Sequence, residues 1–302
     1  MDPTLGNSTT ATLLVSCDDQ PGLVATLSQL LFALGLNILD ADQHTDSSAG
    51  KFFQRIRFDL CRPDSTPNAT RDRGAEFDQG ILEGAIREVA ERYRMDWDLR
   101  LDRNVEKVAI FVSKTDHCLY DLLLRHQSGE LVCDIPLIVS NHPDLEPIAK
   151  HFDIDFHVFP IRKENKPEQE AREIELLREH DIDLVVMARY MQILSQQMID
   201  AFPMRIINIH HSFLPAFQGG RPYHQAYGRG VKRIGATAHY ATLDLDEGPI
   251  IEQDVVRVSH RDTPRDLARK GRDVERTVLS RAVGWHLDGR VLVYDNKTVV
   301  FD

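Results

Sequence analysis

The residues best equipped for chemistry in this 302-residue sequence fall in three short segments. The first, Asn208-Ile209-His210-His211-Ser212-Phe213-Leu214-Pro215, closes a run of apolar residues that reads as a buried strand. Side chains two apart on a strand share a face, so Asn208 and His210 are expected to point one way and His211 the other. An amide N–H and an imidazole side by side can hold a developing negative oxygen or move a proton. The second segment, Leu243-Asp244-Leu245-Asp246-Glu247-Gly248-Pro249-Ile250-Ile251, is an acidic turn that enters an apolar strand. The third, Met187-Ala188-Arg189-Tyr190-Met191-Gln192-Ile193-Leu194, leaves a strand with mostly apolar side chains. Taken singly, each has an ordinary structural reading: a capped strand end, a solvated turn and a piece of core.

The elements around these segments form two rhythms. Near the N-terminus, Thr12 to Cys17, Ile38 to Gln43, Phe52 to Leu60 and Trp97 to Leu101 read as strands. Leu23 to Leu34 and Gly80 to Tyr93 have helical spacing, and Arg62 to Gly74 is a polar loop. The order βαββαβ predicts a ferredoxin-like antiparallel sheet with two helices on one face, over residues 1–102. From Lys107 onward, short continuous apolar runs alternate with helical stretches, the pattern of a parallel sheet buried on both faces. Residues 103–302 are therefore expected to form a doubly wound, mostly parallel α/β domain. The Asn208–Pro215 segment would then fall beyond the carboxyl ends of its strands, where the ligand crevice of such a sheet lies. Beyond them come strands at Gly235 to Thr242 and Ile250 to Val258, a long helix from Pro264 to His286, and a closing hairpin.

Composition narrows the field. With 42% hydrophobic and 27% charged residues the chain is an ordinary globular protein. Thirty-six Lys and Arg against 47 Asp and Glu leave a net charge of -11, which offers no basic field to nucleic acid or an anionic membrane. No apolar run nears the roughly 20 residues of a membrane span, and Met1 to Thr12 is polar and lacks a signal pattern, so a cytoplasmic location is expected. Cys17, Cys61, Cys118 and Cys133 show no CxxC pairing and read as reduced structural thiols.

Order and wording of the three segments together resemble the folate-dependent formyltransferase family. In that family a strand-end N-x-H and a downstream Asp before G-P-[IV]-I form the catalytic set, and a loop similar to ARYMQIL cups the pterin. Carried onto this sequence, the resemblance implies Asn208, His210 and Asp246 as the catalytic set. It implies Arg189, Tyr190, Met191, Gln192, Ile193, Leu194, His211, Arg221, Tyr223 and His239 as substrate-binding residues. The phrases NIHHSFLPAF, RPYHQAYGRGVKRIGATAHY and LDEGPIIEQD are closer to the branch that hydrolyses 10-formyltetrahydrofolate to formate and tetrahydrofolate, supplying formate for purine synthesis and balancing the folate pool. The N-terminal βαββαβ, with DDQPGLVATLS at its first loop, resembles an ACT domain, and ACT plus formyltransferase fold is the arrangement of that branch. The folate is then the substrate, and no cofactor is expected.

Relatives that formylate glycinamide ribonucleotide open their first βα loop with a glycine-rich phosphate cradle, whereas Val112-Ser113-Lys114-Thr115-Asp116-His117 has no glycine and adds an acid. Water is the acceptor this predicts. Either His210 or Asp246 could take the water proton. No Ser or Cys stands in a nucleophile elbow, so direct attack is expected rather than an acyl-enzyme. Transfer to an amine acceptor is one rival. A metal-dependent amidohydrolase is another, since His210, His211, His224 and His239 crowd one region, but HExxH and helical i,i+4 His pairs are missing. A third, an amino-acid sensor with an inert second domain, leaves Asn208, His210 and Asp246 without a purpose. In the ACT-like loop, Asp18, Asp19, Pro21 and Gly22 are candidates for binding an amino-acid effector at a helix start, against a plainer reading in which Asp19 caps that helix. The exposed edge of such a sheet makes a homo-oligomer the expected assembly.

Overall fold

A computed structural model of the chain describes residues 10–60, 78–216 and 221–302. Cys61, the polar loop expected over Arg62 to Gly74, Gly219-Gly220 and most of the N-terminal leader lie outside them. The chain divides into two units, the first running to Val105 and taking in Gly289–Tyr294 and Val299–Asp302, the second comprising Glu106–Asp288 and Asp295–Thr298.

The first unit contains β1 (Thr10–Asp18), α1 (Leu23–Ala33), β2 (Asn37–Asp46), β3 (Lys51–Asp59), α2 (Gln79–Tyr93) and β4 (Asp96–Leu101), with sheet order β2-β3-β1-β4. Its paired strands are antiparallel. In β1 the run Leu13-Leu14-Val15 is buried throughout, which requires cover on both faces. Leu13 and Val15 share a core with Leu27 and Leu31 of α1 and Leu82 and Ile86 of α2. Helix α2 begins at Asp78, whose side chain accepts the Gly80 and Ile81 N–H groups. Helix α1 begins instead at Gly22, in the left-handed region at φ 92°, with no side-chain cap. The plainer reading of Asp19 as the cap is thereby corrected.

The second unit contains β5 (Lys107–Val112), α3 (His117–Gln127), β6 (Asp134–Ser140), α4 (Glu146–His151), β7 (Asp155–Val158), α5 (Lys166–Glu179), β8 (Leu184–Met187), α6 (Gln196–Ala201), β9 (Ile206–His210), α7 (Pro222–Arg229), β10 (Arg233–Tyr240), β11 (Ile250–Arg257) and α8 (Pro264–Leu287). They build a seven-stranded sheet in the order β11-β10-β9-β8-β5-β6-β7. Strands β5 to β9 pair in parallel and β10 runs antiparallel to both its neighbours. All four residues of β8 are buried, as expected of a strand with helices on both sides. Helix α8 starts on a capping box, Thr263 with Asp266, and a proline at its first position.

Two findings depart from expectation. Helix α7 is not among the helices expected from the spacing; it starts from Arg221 at φ 55° with Pro222 in its first turn and ends at Gly230, also left-handed at φ 67°. The second concerns the closing hairpin, β12 (Val291–Tyr294) and β13 (Lys297–Val300). Leu292, Tyr294, Val299 and Phe301 pack on Leu14 of β1 and Phe53 of β3, covering the face that α1 and α2 leave open. The boundary expected between residues 102 and 103 falls at 105, and most of the chain's last 14 residues belong with the first unit.

The turn from β10 to β11 is closed by the Tyr240 N–H donating to the Pro249 carbonyl at 2.9 Å. Gly248 passes so close that a Cβ there would overlap the Tyr240 carbonyl oxygen. Gly248→Ala should therefore destabilise the fold by about 1–3 kcal/mol, seen as a fall of several degrees in Tm. An unchanged melting curve would show that the turn yields freely.

Candidate active site

Beyond the ends of β8 and β9, and under the β10–β11 turn, lies a cleft of about 250 Å³. It is lined by Arg189, Tyr190, Met191, Gln192, Ile193 and Leu194 from the β8 end, by Asn208, His210 and His211 from β9, and by His239 and Asp246. The three segments singled out in the sequence thus meet in one place. Leu243 and Leu245 also line it and are about half exposed; their alternation with Asp244 and Asp246 was a signal masked by the acidic turn around them.

Strand register sets the chemistry. Asn208 pairs with His239 across β9 and β10, and His210 with Thr237. Opposite residues in an antiparallel pair share a face, so the Asn208 amide donates to His239 Nε2 at 3.2 Å. The other ring nitrogen, Nδ1, donates to the Tyr240 carbonyl at 2.9 Å, which fixes the neutral tautomer with Nε2 as acceptor. Burial lowers the pKa of His239 against the opposing pull of that carbonyl and of Asp246. Thr237 Oγ1 donates to the Ser212 carbonyl and accepts the Leu214 N–H, tying down the chain that leaves His210.

His210 Nδ1 donates to Asp246 Oδ1 at 3.1 Å, and His239 Nε2 lies 3.9 Å from the same oxygen. Asp246 reaches in from a left-handed backbone at φ 59°. Burial alone would raise its pKa, but the His210 hydrogen bond and the neighbouring imidazoles outweigh it and hold the carboxyl below its ordinary value. His210 Nε2 is buried and has no hydrogen-bond partner. An imidazole held at one nitrogen, free at the other and flanked by an amide donor suits proton transfer and oxyanion stabilisation.

His211 was expected to turn away from His210. Because β9 ends at His210, the strand alternation lapses, and the His211 ring lies 5.2 Å from His210 while still lining the cleft. Burial, with the Arg189 charge second, pushes its pKa down to about 3, so it stays neutral. Arg221 and Tyr223 are not among the lining residues: Arg221 is exposed at the start of α7, and Tyr223 turns inward to donate to Glu275 of α8. Glu275 also accepts from His117 Nε2 at 2.8 Å and lies 3.5 Å from Arg189 Nε. Burial would raise its pKa, but these partners bring it down to about 2. His117, Cys118 and Glu275 are, among the described residues, the one set whose possible metal-donor atoms lie within 4.8 Å of one another. Burial keeps the Cys118 thiol well above its ordinary pKa, and the Arg189 guanidinium already meets the Glu275 charge.

The loop after β8 is anchored from below. Tyr190 packs edge-on to Phe111 at 5.2 Å and donates to Glu173 of α5 at 3.1 Å. The Met191 N–H donates to Ser113, and the Ser195 N–H to Glu170. Met191 and Ile193 are left exposed by 57% and 55%, offering apolar surface at the cleft. Neither Glu170 nor Glu173 was foreseen, since a helix as charged as α5 reads as a solvated face. In the first unit, Asp18, Asp19, Pro21 and Gly22 are exposed, and Asp18 is engaged by Lys51 at 2.8 Å.

The family described as formyl transferase matches residues 106–283, and the ACT domain family matches residues 11–76. The chain is 56% identical over 297 residues to a Synechocystis formyltetrahydrofolate deformylase, covering 97% of this chain and 98% of that one. The crystal structure of a formyltetrahydrofolate deformylase from Pseudomonas syringae superposes with a TM-score of 0.90 at 45% identity, covering 97% of this chain and 94% of the other. A glycinamide ribonucleotide transformylase from Symbiobacterium toebii shares the fold at a TM-score of 0.62 and 31% identity, over 66% of this chain and 95% of its own. The chain belongs to the formyl transferase family, with an ACT domain ahead of the family's fold. Within that family it stands among the formyltetrahydrofolate deformylases.

Burial pushes the Glu173 carboxyl up from 4.5 to about 7, against the Tyr190 hydrogen bond. A carboxyl raised on folding stabilises fully below its unfolded value, and that stability is lost as pH climbs through about 7. Glu173→Gln, which keeps the neutral shape, should flatten the decline of Tm between pH 5 and 8, a difference of up to about 3 kcal/mol. Parallel pH profiles for the two proteins would refute the assignment.

Proposed function

We propose that this protein hydrolyses 10-formyltetrahydrofolate to formate and tetrahydrofolate by direct attack of water, providing formate for purine synthesis and balancing the folate pool. The observation that carries this reading is His210, held by Asp246 at Nδ1 and unpaired at Nε2, beside the Asn208 amide in an apolar-rimmed cleft. Asn208 uses one N–H on His239, which aims the other at the cleft. Water attacks the formyl carbon, and the carbonyl electrons move to oxygen, where the Asn208 N–H and the His210 Nε2–H receive the charge. Asp246 favours the imidazolium by proximity and takes up the water proton on its own carboxylate. Collapse of the tetrahedral intermediate breaks the C–N10 bond, the pair returns the proton to N10, and formate departs. The pterin is held by the Arg189 to Leu194 loop, its Met191 and Ile193 supplying apolar contact. No cofactor or metal takes part in this scheme.

Around that core we infer three further features. The ACT domain serves as an amino-acid sensor at Gly22, where α1 begins without a side-chain cap, with Asp19 as ammonium partner because Asp18 is engaged by Lys51. The chain forms a homo-oligomer, supported by the exposed edge strand β2. A cytoplasmic location fits the free Cys17, Cys118 and Cys133. No helix among the described residues is long and apolar enough to cross a membrane.

Asp246→Asn, nearly isosteric and uncharged, should lower kcat by two orders of magnitude or more with little change in folate affinity, and saturating chelator should leave the wild-type rate unaltered. Substantial turnover in the variant, or loss of activity to the chelator, would displace this mechanism. Glycine or methionine, as amino acids of one-carbon metabolism, should shift the wild-type rate or Tm, and Gly22→Val should remove that response. If neither amino acid changes either quantity, the sensor reading falls, and a monomer by light scattering would do the same for the assembly.

A further inference from the structure

In an open α/β sheet the natural ligand crevice lies at the carboxyl ends of the two strands where the winding reverses. Here the chain passes from β5 outward to β6 and β7, then returns to β8 on the other side of β5 and continues to β9. The switch point therefore falls between β5 and β8. The residues at its mouth are the segment ending in His117 and the segment beginning with Arg189, and both turn inward onto Glu275. Tyr223 completes the cluster from α7. The side chains of His117, Arg189 and Glu275 are exposed by only 9%, 13% and 1%. The crevice is filled with protein.

Three features show that the filling is built in. Arg189 has φ 67°, a conformation where glycine would be unstrained, yet a long cationic side chain stands there. Gly271 of α8 lies against Tyr223, and a Cβ there would overlap the tyrosine ring and hydroxyl. Ser113 donates to Asn141 at 2.6 Å and accepts the Met191 N–H, stitching together the segments that follow β5, β6 and β8. The cluster abuts the reaction centre: the Tyr223 ring lies 5.9 Å from His211, whose ring is tilted against that of His210 at 5.2 Å. Arg189 also lines the cleft, with Nε and Nη1 buried and lacking hydrogen-bond partners.

We infer that the Arg189–Glu275–His117–Tyr223 cluster is the specificity element that restricts the formyl acceptor to water, by occupying the space in which an amine acceptor would stand. The inference rests on the hydrolytic reading above and deepens it. Water needs only a gap beside His210. An amine carrying a substituent needs the crevice behind it, which is closed by side chains, and the buried guanidinium opposes any ammonium form. Because Glu275 neutralises Arg189, the crevice offers no net cation to a phosphorylated acceptor either.

The test uses the full-length enzyme with 10-formyltetrahydrofolate and two amine probes, hydroxylamine and the bulkier glycinamide, with formate, formohydroxamate and N-formylglycinamide quantified by mass spectrometry. Rates are normalised to the uncatalysed reaction of each amine with the same donor. Wild type should formylate hydroxylamine alongside water and glycinamide at least tenfold less after normalisation. Arg189→Gly combined with Glu275→Gln removes both charges together, so neither is stranded, and glycine suits the backbone at 189. In that double variant the ratio of N-formylglycinamide to formate should rise at least tenfold. A folded double variant that yields formate with the wild-type ratio overturns the inference. Should the double variant fail to fold, the wild-type series decides alone: equal normalised use of both amines overturns the inference, and a size cut-off sustains it. An enzyme that releases no formate from the folate would instead overturn the hydrolytic reading, a result distinct from either.

Discussion

The hydrogen bond from His210 to Asp246 is the interaction on which the site depends. A buried carboxylate is unstable as an anion unless something answers its charge, and burial alone would raise the pKa of Asp246. The imidazole beside it reverses that outcome. For the two to meet, β9 must end at His210, β10 must pair in the register that sets His239 opposite Asn208, and the turn after Tyr240 must bend through a left-handed Asp246 and a bare Gly248. Each of these constraints is a backbone condition, and each places a side-chain atom.

Two other buried carboxyls show that partners, more than depth, decide charge. Glu275 and Glu173 are both nearly sealed from solvent, at 1% and 0% exposure. Glu275 meets His117, Arg189 and Tyr223 and is driven down to about 2; Glu173 meets one tyrosine hydroxyl, with Glu170 nearby, and rises to about 7. One therefore serves as a fixed anion that gathers cations and donors around the switch point. The other is a carboxyl of raised pKa that props the loop after β8. His211, placed between His210 and the Glu275 cluster, is kept uncharged by burial and by Arg189.

In the first unit the same logic of covered faces explains the route of the chain. A strand such as β1, apolar on both sides, cannot be satisfied by α1 and α2 alone, since they cover one face. The C-terminal hairpin residues supply the second cover through Phe301, Leu292 and Tyr294, with Tyr294 lying 4.6 Å from Phe53 and donating to Asp46. The apolar area this removes from water is what holds a four-residue hairpin strand in place.

Much of this was legible in the residues themselves. The βαββαβ order and the doubly wound parallel core follow from local periodicity, because a strand's two-residue alternation and a helix's 3.6-residue repeat are imposed by the backbone; Asn208, His210 and Asp246 were grouped by the family resemblance of the segments that carry them. What the chain could not declare is which distant groups would face each other. Helix α7 was hidden because its start is a left-handed Arg221 followed by proline, a pair that also reads as a turn. Arg221 and Tyr223 were assigned to the substrate on motif alone, whereas packing against Gly271 turns Tyr223 toward Glu275, 52 residues away in sequence. Glu170 and Glu173 look like members of a solvated helix face until α5 is seen lying against the loop after β8. The hairpin's allegiance to the first unit depends on the open face of β1, nearly 280 residues earlier in the chain. Local sequence determined the elements and the residue types offered at the strand ends; tertiary packing decided which of them became partners and hence their charges, because hydrogen bonding and desolvation depend on neighbours brought together by the fold.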